Sequence, residues 1–193
     1  MKTAIIKYNA GNIRSVAFAL ERLGQEPLIT DDANAIRKAD KVIFPGVGEA
    51  SSAMKFLREK KLDSVIKTLE QPVLGICLGL QLMCSFSEEN NTDGLGLFPA
   101  KVKRFDGGVK IPHVGWNQIT SLQGPLFEGV KEGSYVYFVH SYFAELSPHA
   151  IARTEYGRPF SAAIRFNNFI ATQFHPERSG QTGEQILKNF LAL

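Results

Sequence analysis

The sequence predicts an α/β protein, with a mostly parallel sheet flanked by helices and antiparallel strands added in its C-terminal half. Three observations carry this expectation. Short apolar, β-rich runs alternate with amphipathic stretches through the first half, a pattern that right-handed strand–helix–strand crossovers satisfy. The second half loses helical periodicity and becomes rich in β-branched and aromatic residues between turn dipeptides. The 193 residues, 44% hydrophobic and 21% charged, suffice to bury roughly 70% of the unfolded surface without staples.

Each element has a local reason. Thr3–Tyr8 is a short β-rich run. Gly11–Leu23 places Ile13, Val16, Ala17, Leu20 and Leu23 at helical spacing, and Gly24 stands where a C-terminal cap belongs. Pro27–Ile29 and Lys41–Phe44 read as strands, the second ending in Pro45-Gly46-Val47-Gly48. Ser51–Leu69 is helical with a break near Leu62. Pro72–Ile76 is a continuous apolar strand, and Leu78–Phe86 returns to helical spacing. Gly94–Phe105, Ile111–Leu122, Ser134–Leu146, Ala150–Tyr156 and Ser161–His175 read as strands and hairpins, with turns at Asp106-Gly107-Gly108 and Asn167-Asn168. Gly183–Leu193 closes as an amphipathic helix. With no linker, repeat or low-complexity tract, residues 1–193 are expected to form one domain.

Composition narrows the function. A net charge of +3, evenly spread, does not suit a nucleic-acid binder. Lys55, Arg58, Lys60 and Lys61 read as a solvated helix face. Cys77 and Cys84 are too few for a disulfide framework or a four-ligand zinc site, and His113, His140 and His149 form no ligand-like cluster, so no metal or other cofactor is expected. The opening MKTAIIKYNAGN reads as a strand and not as a signal peptide. Val73–Met83, the most apolar stretch, is broken by Gly75, Gly79 and Gln81 and is too short to span a bilayer. A cytoplasmic protein without membrane contact is expected.

The sharpest chemical signal is Gly75-Ile76-Cys77-Leu78-Gly79, after a buried strand and before a helix. This is the nucleophile elbow with cysteine in place of serine. A tight strand-to-helix turn pushes the sulfur out of the sheet, and its strain demands small neighbours. The helix start favours thiolate, and the Leu78 N–H is placed to hold an oxyanion. A buried structural cysteine beside helix-packing glycines would look similar. What separates the two is a second motif, Gln173-Phe174-His175-Pro176-Glu177, at the end of an apolar strand. There His175 can exchange protons with Cys77 while Glu177 orients the imidazole. Pro45-Gly46-Val47-Gly48, also after a strand, can turn backbone N–H groups toward a ligand and supply a second oxyanion donor. It lacks the residues of a phosphate-binding or dinucleotide loop.

Taken in order, Pro45-Gly46-Val47-Gly48, Gly75-Ile76-Cys77-Leu78-Gly79-Leu80-Gln81 and Phe174-His175-Pro176-Glu177 resemble the pattern of class I, or triad, glutamine amidotransferases. The resemblance spans nearly the whole chain. It implies a flavodoxin-like fold that hydrolyses glutamine to glutamate and ammonia. It further implies that Cys77 forms a glutamyl thioester, His175 and Glu177 complete the triad, and Val47, Gly48 and Leu78 form the oxyanion hole. Gly46, Gln81, Ser141 and Tyr142 would bind substrate. Within the family, Asn9-Ala10-Gly11-Asn12-Ile13-Arg14-Ser15-Val16 and Pro112-His113-Val114-Gly115-Trp116-Asn117 look like the glutaminase subunits of imidazole glycerol phosphate synthase. That resemblance implies a (β/α)₈-barrel cyclase partner in a heterodimer, met by Asn9, Asn12, Arg14 and Trp116. One departure is Lys7, where the family more often carries an acidic residue before the tyrosine.

The resemblance also suggests that the Pro45–Gly48 loop rests with its N–H groups turned away until the partner and its ligand bind. Two other readings stay open at this point: a different cysteine hydrolase or amidotransferase subunit, and a non-catalytic interaction domain on the same fold.

Overall fold

A computed structural model describes residues 1–9 and 11–193. Ala10, in the stretch expected to meet a partner, lies outside the described residues. The first half is strand and helix in alternation: β1 (Thr3–Ile6), α1 (Ile13–Arg22), β2 (Leu28–Thr30), α2 (Ala33–Arg37), β3 (Lys41–Phe44), α3 (Ala50–Glu59), α4 (Leu62–Lys67), β4 (Val73–Ile76) and α5 (Leu78–Met83). The second half holds β5 (Cys84–Ser87), β6 (Thr92–Asp93), β7 (Phe98–Arg104), β8 (His113–Gln118), β9 (Tyr135–His140), β10 (Tyr142–Ala144), β11 (Ala150–Glu155), β12 (Pro159–Phe166), β13 (Phe169–Thr172) and α6 (Gly180–Ala192).

The main sheet has seven strands in the order β11-β12-β13-β4-β3-β1-β2. From β2 to β13 the neighbours are parallel, and β12 and β11 extend that edge antiparallel. Central strands are buried on both faces, which explains their unbroken apolar runs. Alternate residues point to opposite layers. Ala4, Ile6, Val42 and Phe44 pack with α2, α3 and α4, while Ile5, Ile43, Leu74 and Ile170 pack with α1 and α6.

The strands of the second half do not all join this sheet, and one of their pairings, β5 with β7, is parallel. β10-β7-β5-β6 form a second sheet, and β8 and β9 form a separate ribbon. The ribbon is tied down where β13 ends: the His175 N–H donates to the Tyr137 carbonyl at 2.9 Å, and the Tyr137 N–H donates to Ser179 Oγ at 2.9 Å.

Two local expectations are corrected. The helix read over Leu78–Phe86 stops at Met83. Its last carbonyls are taken from outside, by the N–H groups of Leu95, Gly96 and Leu97 donating to Leu82, Cys84 and Met83. Cys84 therefore opens a strand paired with β7 and does not share a helix face with Cys77. Its thiol is fully buried, and burial pushes it well above the ordinary value. The helix α2 has no counterpart in the sequence pattern. Five residues are too few for readable periodicity, although Asp32 caps it by accepting the Ala35 N–H at 2.7 Å. The break near Leu62 is present, with Lys61 in the left-handed region at φ 57°.

Candidate active site

The site forms where β4 and β13 end side by side. They are parallel neighbours with Ile76 opposite Thr172, and the Cys77 N–H continues the ladder to the Thr172 carbonyl at 2.8 Å. One strand therefore delivers Cys77 and the other delivers His175 to the same edge. This is the carboxyl edge of a parallel sheet, where such folds place their ligands.

Cys77 sits at φ 53°, ψ −104°. A non-glycine residue there stores of order 1–3 kcal/mol of strain, and close packing enforces it. A Cβ on Gly79 would lie 2.0 Å from the Phe44 carbonyl oxygen, and one on Gly75 would lie 3.0 Å from both Ala171 Cβ and Met83 Sδ. The turn can form only because both residues are glycine. The thiol lies 3.9 Å from the Val139 carbonyl and 3.7 Å from Gln173 Nε2.

His175 is 1% exposed, and its Nδ1 bonds Glu177 Oε1 at 2.8 Å across a single 3₁₀ turn that begins at Pro176. Its Nε2 is buried and has no hydrogen-bond partner among the described residues. Burial pulls the imidazole pKa down, but the charge and hydrogen-bonding capacity of Cys77 and then Glu177 outweigh it, leaving it pushed up to about 10. At neutral pH the ring therefore holds a proton it can give up. Asn12 shares in the arrangement, donating from Nδ2 to Glu177 Oε1 at 2.5 Å.

A cavity of about 340 Å³ opens over the sulfur, lined by Val47, Gly48, Cys77, Leu78, Gln81, Glu89, Pro112, Val139, His140, Ser141 and Tyr142. Of the residues expected from sequence, Cys77, Val47, Gly48, Leu78, Gln81, Ser141 and Tyr142 meet there. Gly46 lies behind the wall: a Cβ on it would sit 2.3 Å from the Tyr8 hydroxyl and 2.9 Å from Leu78 Cβ. Gln81 is held by its amide, which donates to the Tyr142 carbonyl at 2.8 Å and to Gln173 Oε1 at 3.2 Å. Asn9, Arg14 and Trp116 are exposed, Trp116 by 55%. Asn12 is half-buried because it reaches Glu177.

The Pro45–Gly48 loop is held closed against the elbow. Leu78 N–H donates to the Gly46 carbonyl at 3.2 Å, so the donor expected to hold an oxyanion is already engaged. The neighbouring carbonyls are pinned too, Pro45 by the Tyr8 hydroxyl at 2.5 Å and Val47 by the Gly11 N–H at 3.1 Å. Burial and then the nearby Cys77 raise the Tyr8 phenol well above its ordinary value, so it remains a donor.

Sequence reading missed three participants. Glu89, from the polar Glu88-Glu89-Asn90-Asn91 run, brings a carboxylate to the cavity rim. Its Oε2 accepts the Ala50 N–H at 2.7 Å, and burial raises its pKa. Gln173, which opens the His motif but had no role there, bridges Gln81 and the sulfur. Tyr8 stands behind the Pro45–Gly48 loop. Among the described residues no group of three or more His, Cys, Asp or Glu is arranged to hold a metal, and no helix is long and apolar enough to cross a membrane.

Residues 6–193 match the family described as glutamine amidotransferase class-I. The chain is 59% identical to imidazole glycerol phosphate synthase subunit HisH of Bacteroides fragilis, with all of both chains covered. It is 55% identical to the subunit of the same name in Bacteroides thetaiotaomicron, again over the whole of both. Among solved structures it resembles a glutamine amidotransferase, with TM-score 0.76 and 20% identity, covering 98% of this chain and 97% of that one. At that identity the likeness speaks for the fold.

Proposed function

The chain belongs to the class I glutamine amidotransferase family, and from that premise we propose that it is the glutaminase subunit of an imidazole glycerol phosphate synthase, acting in histidine biosynthesis. Full-length relatives of 59% and 55% identity that carry that name support the choice within the family. The observation that carries the chemistry is the convergence of Cys77 with the His175–Glu177 pair at one sheet edge.

Each step follows from a named group. Cys77, as thiolate, attacks the side-chain amide carbon of glutamine. The oxyanion that forms is held by the N–H groups of Leu78 and of the Val47–Gly48 segment. The C–N bond breaks as His175 gives its Nε2 proton to the leaving nitrogen, and ammonia departs from a glutamyl thioester. His175 then takes a proton from water, which hydrolyses the thioester to glutamate and restores the thiolate. Glu177 holds the ring orientation throughout. Gln81, Ser141 and Tyr142, which line the cavity, bind the substrate with Gly46 behind them, and the Glu89 carboxylate at the rim suits its α-ammonium group.

Ammonia near neutral pH becomes mostly ammonium in water, so it is useful to a synthase only if it is handed on shielded. The partner in this reading is a (β/α)₈-barrel cyclase subunit in a heterodimer in the cytoplasm. It combines the ammonia with a phosphoribulosyl formimino aminoimidazole carboxamide ribonucleotide, releasing imidazole glycerol phosphate and an aminoimidazole carboxamide ribotide. Asn9, Asn12, Arg14 and Trp116 face it. Two of these lead inward: Asn12 bonds Glu177, and Trp116 pairs across the ribbon with Tyr137, whose carbonyl accepts the His175 N–H.

The test is synthesis in the reconstituted pair with glutamine or with ammonium salt. Cys77→Ala should abolish glutamine-dependent synthesis and leave ammonia-dependent synthesis intact. Glutamine-dependent turnover that survives the substitution would refute the assignment.

A further inference from the structure

Two buried histidines take no part in the steps above. His113 and His140 are 4% and 5% exposed, on facing strands of the ribbon, with His113 Nδ1 3.0 Å from His140 Nε2. They belong to a longer chain of contacts whose polarity is fixed at both ends.

At one end His140 Nδ1 lies 2.7 Å from the Tyr142 carbonyl, which can only accept, so Nδ1 carries a proton. In a neutral ring Nε2 must then accept, and His113 Nδ1 must donate to it. At the other end the Gln118 N–H donates to Asn117 Oδ1 at 2.8 Å, which fixes the Asn117 amide. Its Nδ2 then donates to the Glu155 carbonyl at 2.9 Å and faces His113 Nε2 at 3.4 Å. His113 Nε2 is therefore the acceptor, and its proton is again on Nδ1. The two ends demand the same direction, and both rings satisfy it as neutral Nδ1–H tautomers. A proton added to either ring would set donor against donor. Burial lowers both pKa values, to about 4 for His113 and about 3 for His140, with the neighbouring imidazoles, His175 included, adding to the effect at His140. Aromatic rings of Phe105, Phe138, Tyr156 and Phe160 lie against the pair, and His140 also lines the cavity that holds Cys77 and Glu89.

We propose that the His113–His140 pair is a positioning device for glutamine, a one-directional relay that holds the Tyr142 carbonyl and through it the Gln81 amide at the floor of the substrate cavity. The Tyr142 carbonyl accepts from His140 and from Gln81 together. Gln81 is thereby fixed on one side by the relay and on the other by Gln173, which also reaches the Cys77 sulfur. The relay starts at Asn117, next to Trp116 on β8, so the expected partner-facing strand and the substrate floor belong to one hydrogen-bonded unit. This inference rests on the glutaminase reading for its ligand but not for its geometry.

The test has two arms. In the ¹⁵N-histidine-labelled full chain at neutral pH, NMR should find both rings neutral with the proton on Nδ1. A charged ring or an Nε2–H tautomer at either position overturns the relay. In the reconstituted complex, His113→Phe keeps a flat ring but leaves His140 Nε2 without a donor. The KM for glutamine should rise about tenfold, the effect of one unsatisfied buried acceptor, while kcat changes less than about threefold. His113→Asn, which returns a donor at the Nδ1 position, should bring KM back. A KM unmoved by His113→Phe, or one that His113→Asn fails to rescue, refutes the role. Where His113→Phe does not fold, the tautomers and His113→Asn decide. A wild-type complex that releases no glutamate refutes the glutaminase reading instead, and the tautomers still judge the relay.

Discussion

The N–H of Leu78 donates to the carbonyl of Gly46 across 3.2 Å. A donor engaged this way cannot hold an oxyanion until the Gly46–Val47 peptide turns over. The isolated chain should therefore release glutamate slowly, and the ligand-bound complex should be about 10²–10³ times faster, the worth of one oxyanion donor. Glutamate release with and without the cyclase partner and its ribonucleotide measures this. An isolated chain already as fast as the complex would show that the loop does not gate the reaction.

Gly79→Ala should unfold the elbow. The added methyl would stand 2.0 Å from the Phe44 carbonyl oxygen, a backbone atom, with no flexible side chain to yield. A destabilisation of about 1–3 kcal/mol or more is expected for such overpacking, read as a lower urea midpoint. Gly48→Ala provides the contrast. Its Cβ would meet nothing within 4 Å, although its φ of 137° still strains an alanine. A midpoint for Gly79→Ala equal to wild type would contradict the packing described for the elbow.

Tyr8→Phe removes the hydrogen bond to the Pro45 carbonyl and leaves that buried oxygen without its donor. The expected cost is about 1–3 kcal/mol in urea unfolding. Faster amide exchange should appear in the segment that follows Pro45 while exchange in β4 stays slow. Unchanged stability would mean that Tyr8 only fills space.

Acid should destabilise the fold through two buried histidines, against which Glu89, raised by its burial, works with the opposite sign. His113 and His140 have folded pKa values of about 4 and about 3, below the unfolded value of about 6.5. Between roughly pH 6.5 and 4 the unfolded chain binds protons that the folded chain refuses, so stability falls as pH falls. His175 has the opposite sign. Its raised pKa, about 10, adds stability that is full below pH ~6.5 and is lost as pH rises toward 10, so it contributes no slope in the acid window. Glu49, lowered to about 2 because hydrogen bonds from Ser51, Ser52 and Asn90 outweigh its burial, acts only below roughly pH 4.5. Urea titrations at several pH values should show the acid limb, and His113→Asn should make it shallower. An acid limb that His113→Asn leaves unchanged would place the linkage elsewhere.

Much of the fold was legible because its signals are local. The apolar runs at Lys41–Phe44 and Val73–Ile76 mark strands buried on both faces, and the glycines around Cys77 mark a turn that only glycine neighbours permit. The end of α5 was not legible, because the N–H groups that take its last carbonyls come from Leu95–Leu97, beyond β6. Glu89 and Tyr8 escaped for the same reason. Nothing near either in sequence distinguishes a carboxylate at a cavity rim or a phenol behind a loop from ordinary polar and strand residues.

Read alone, the sequence determined the chemistry this chain carries: a cysteine on a strained bend, a histidine and a glutamate on one turn, and a glycine loop to face them. These are short-range facts, set by which side chains a few consecutive φ and ψ angles tolerate. The tertiary structure decided which groups meet and in what state. The parallel pairing of β4 with β13 sets Cys77 beside His175, and the fold of the Gly46 carbonyl onto Leu78 leaves the Leu78 N–H engaged. Burial among aromatic rings, with the neighbouring imidazoles adding to it at His140, lowers the pKa of His113 and His140, since the cost of charging a group depends on everything packed around it and not on its neighbours in the chain.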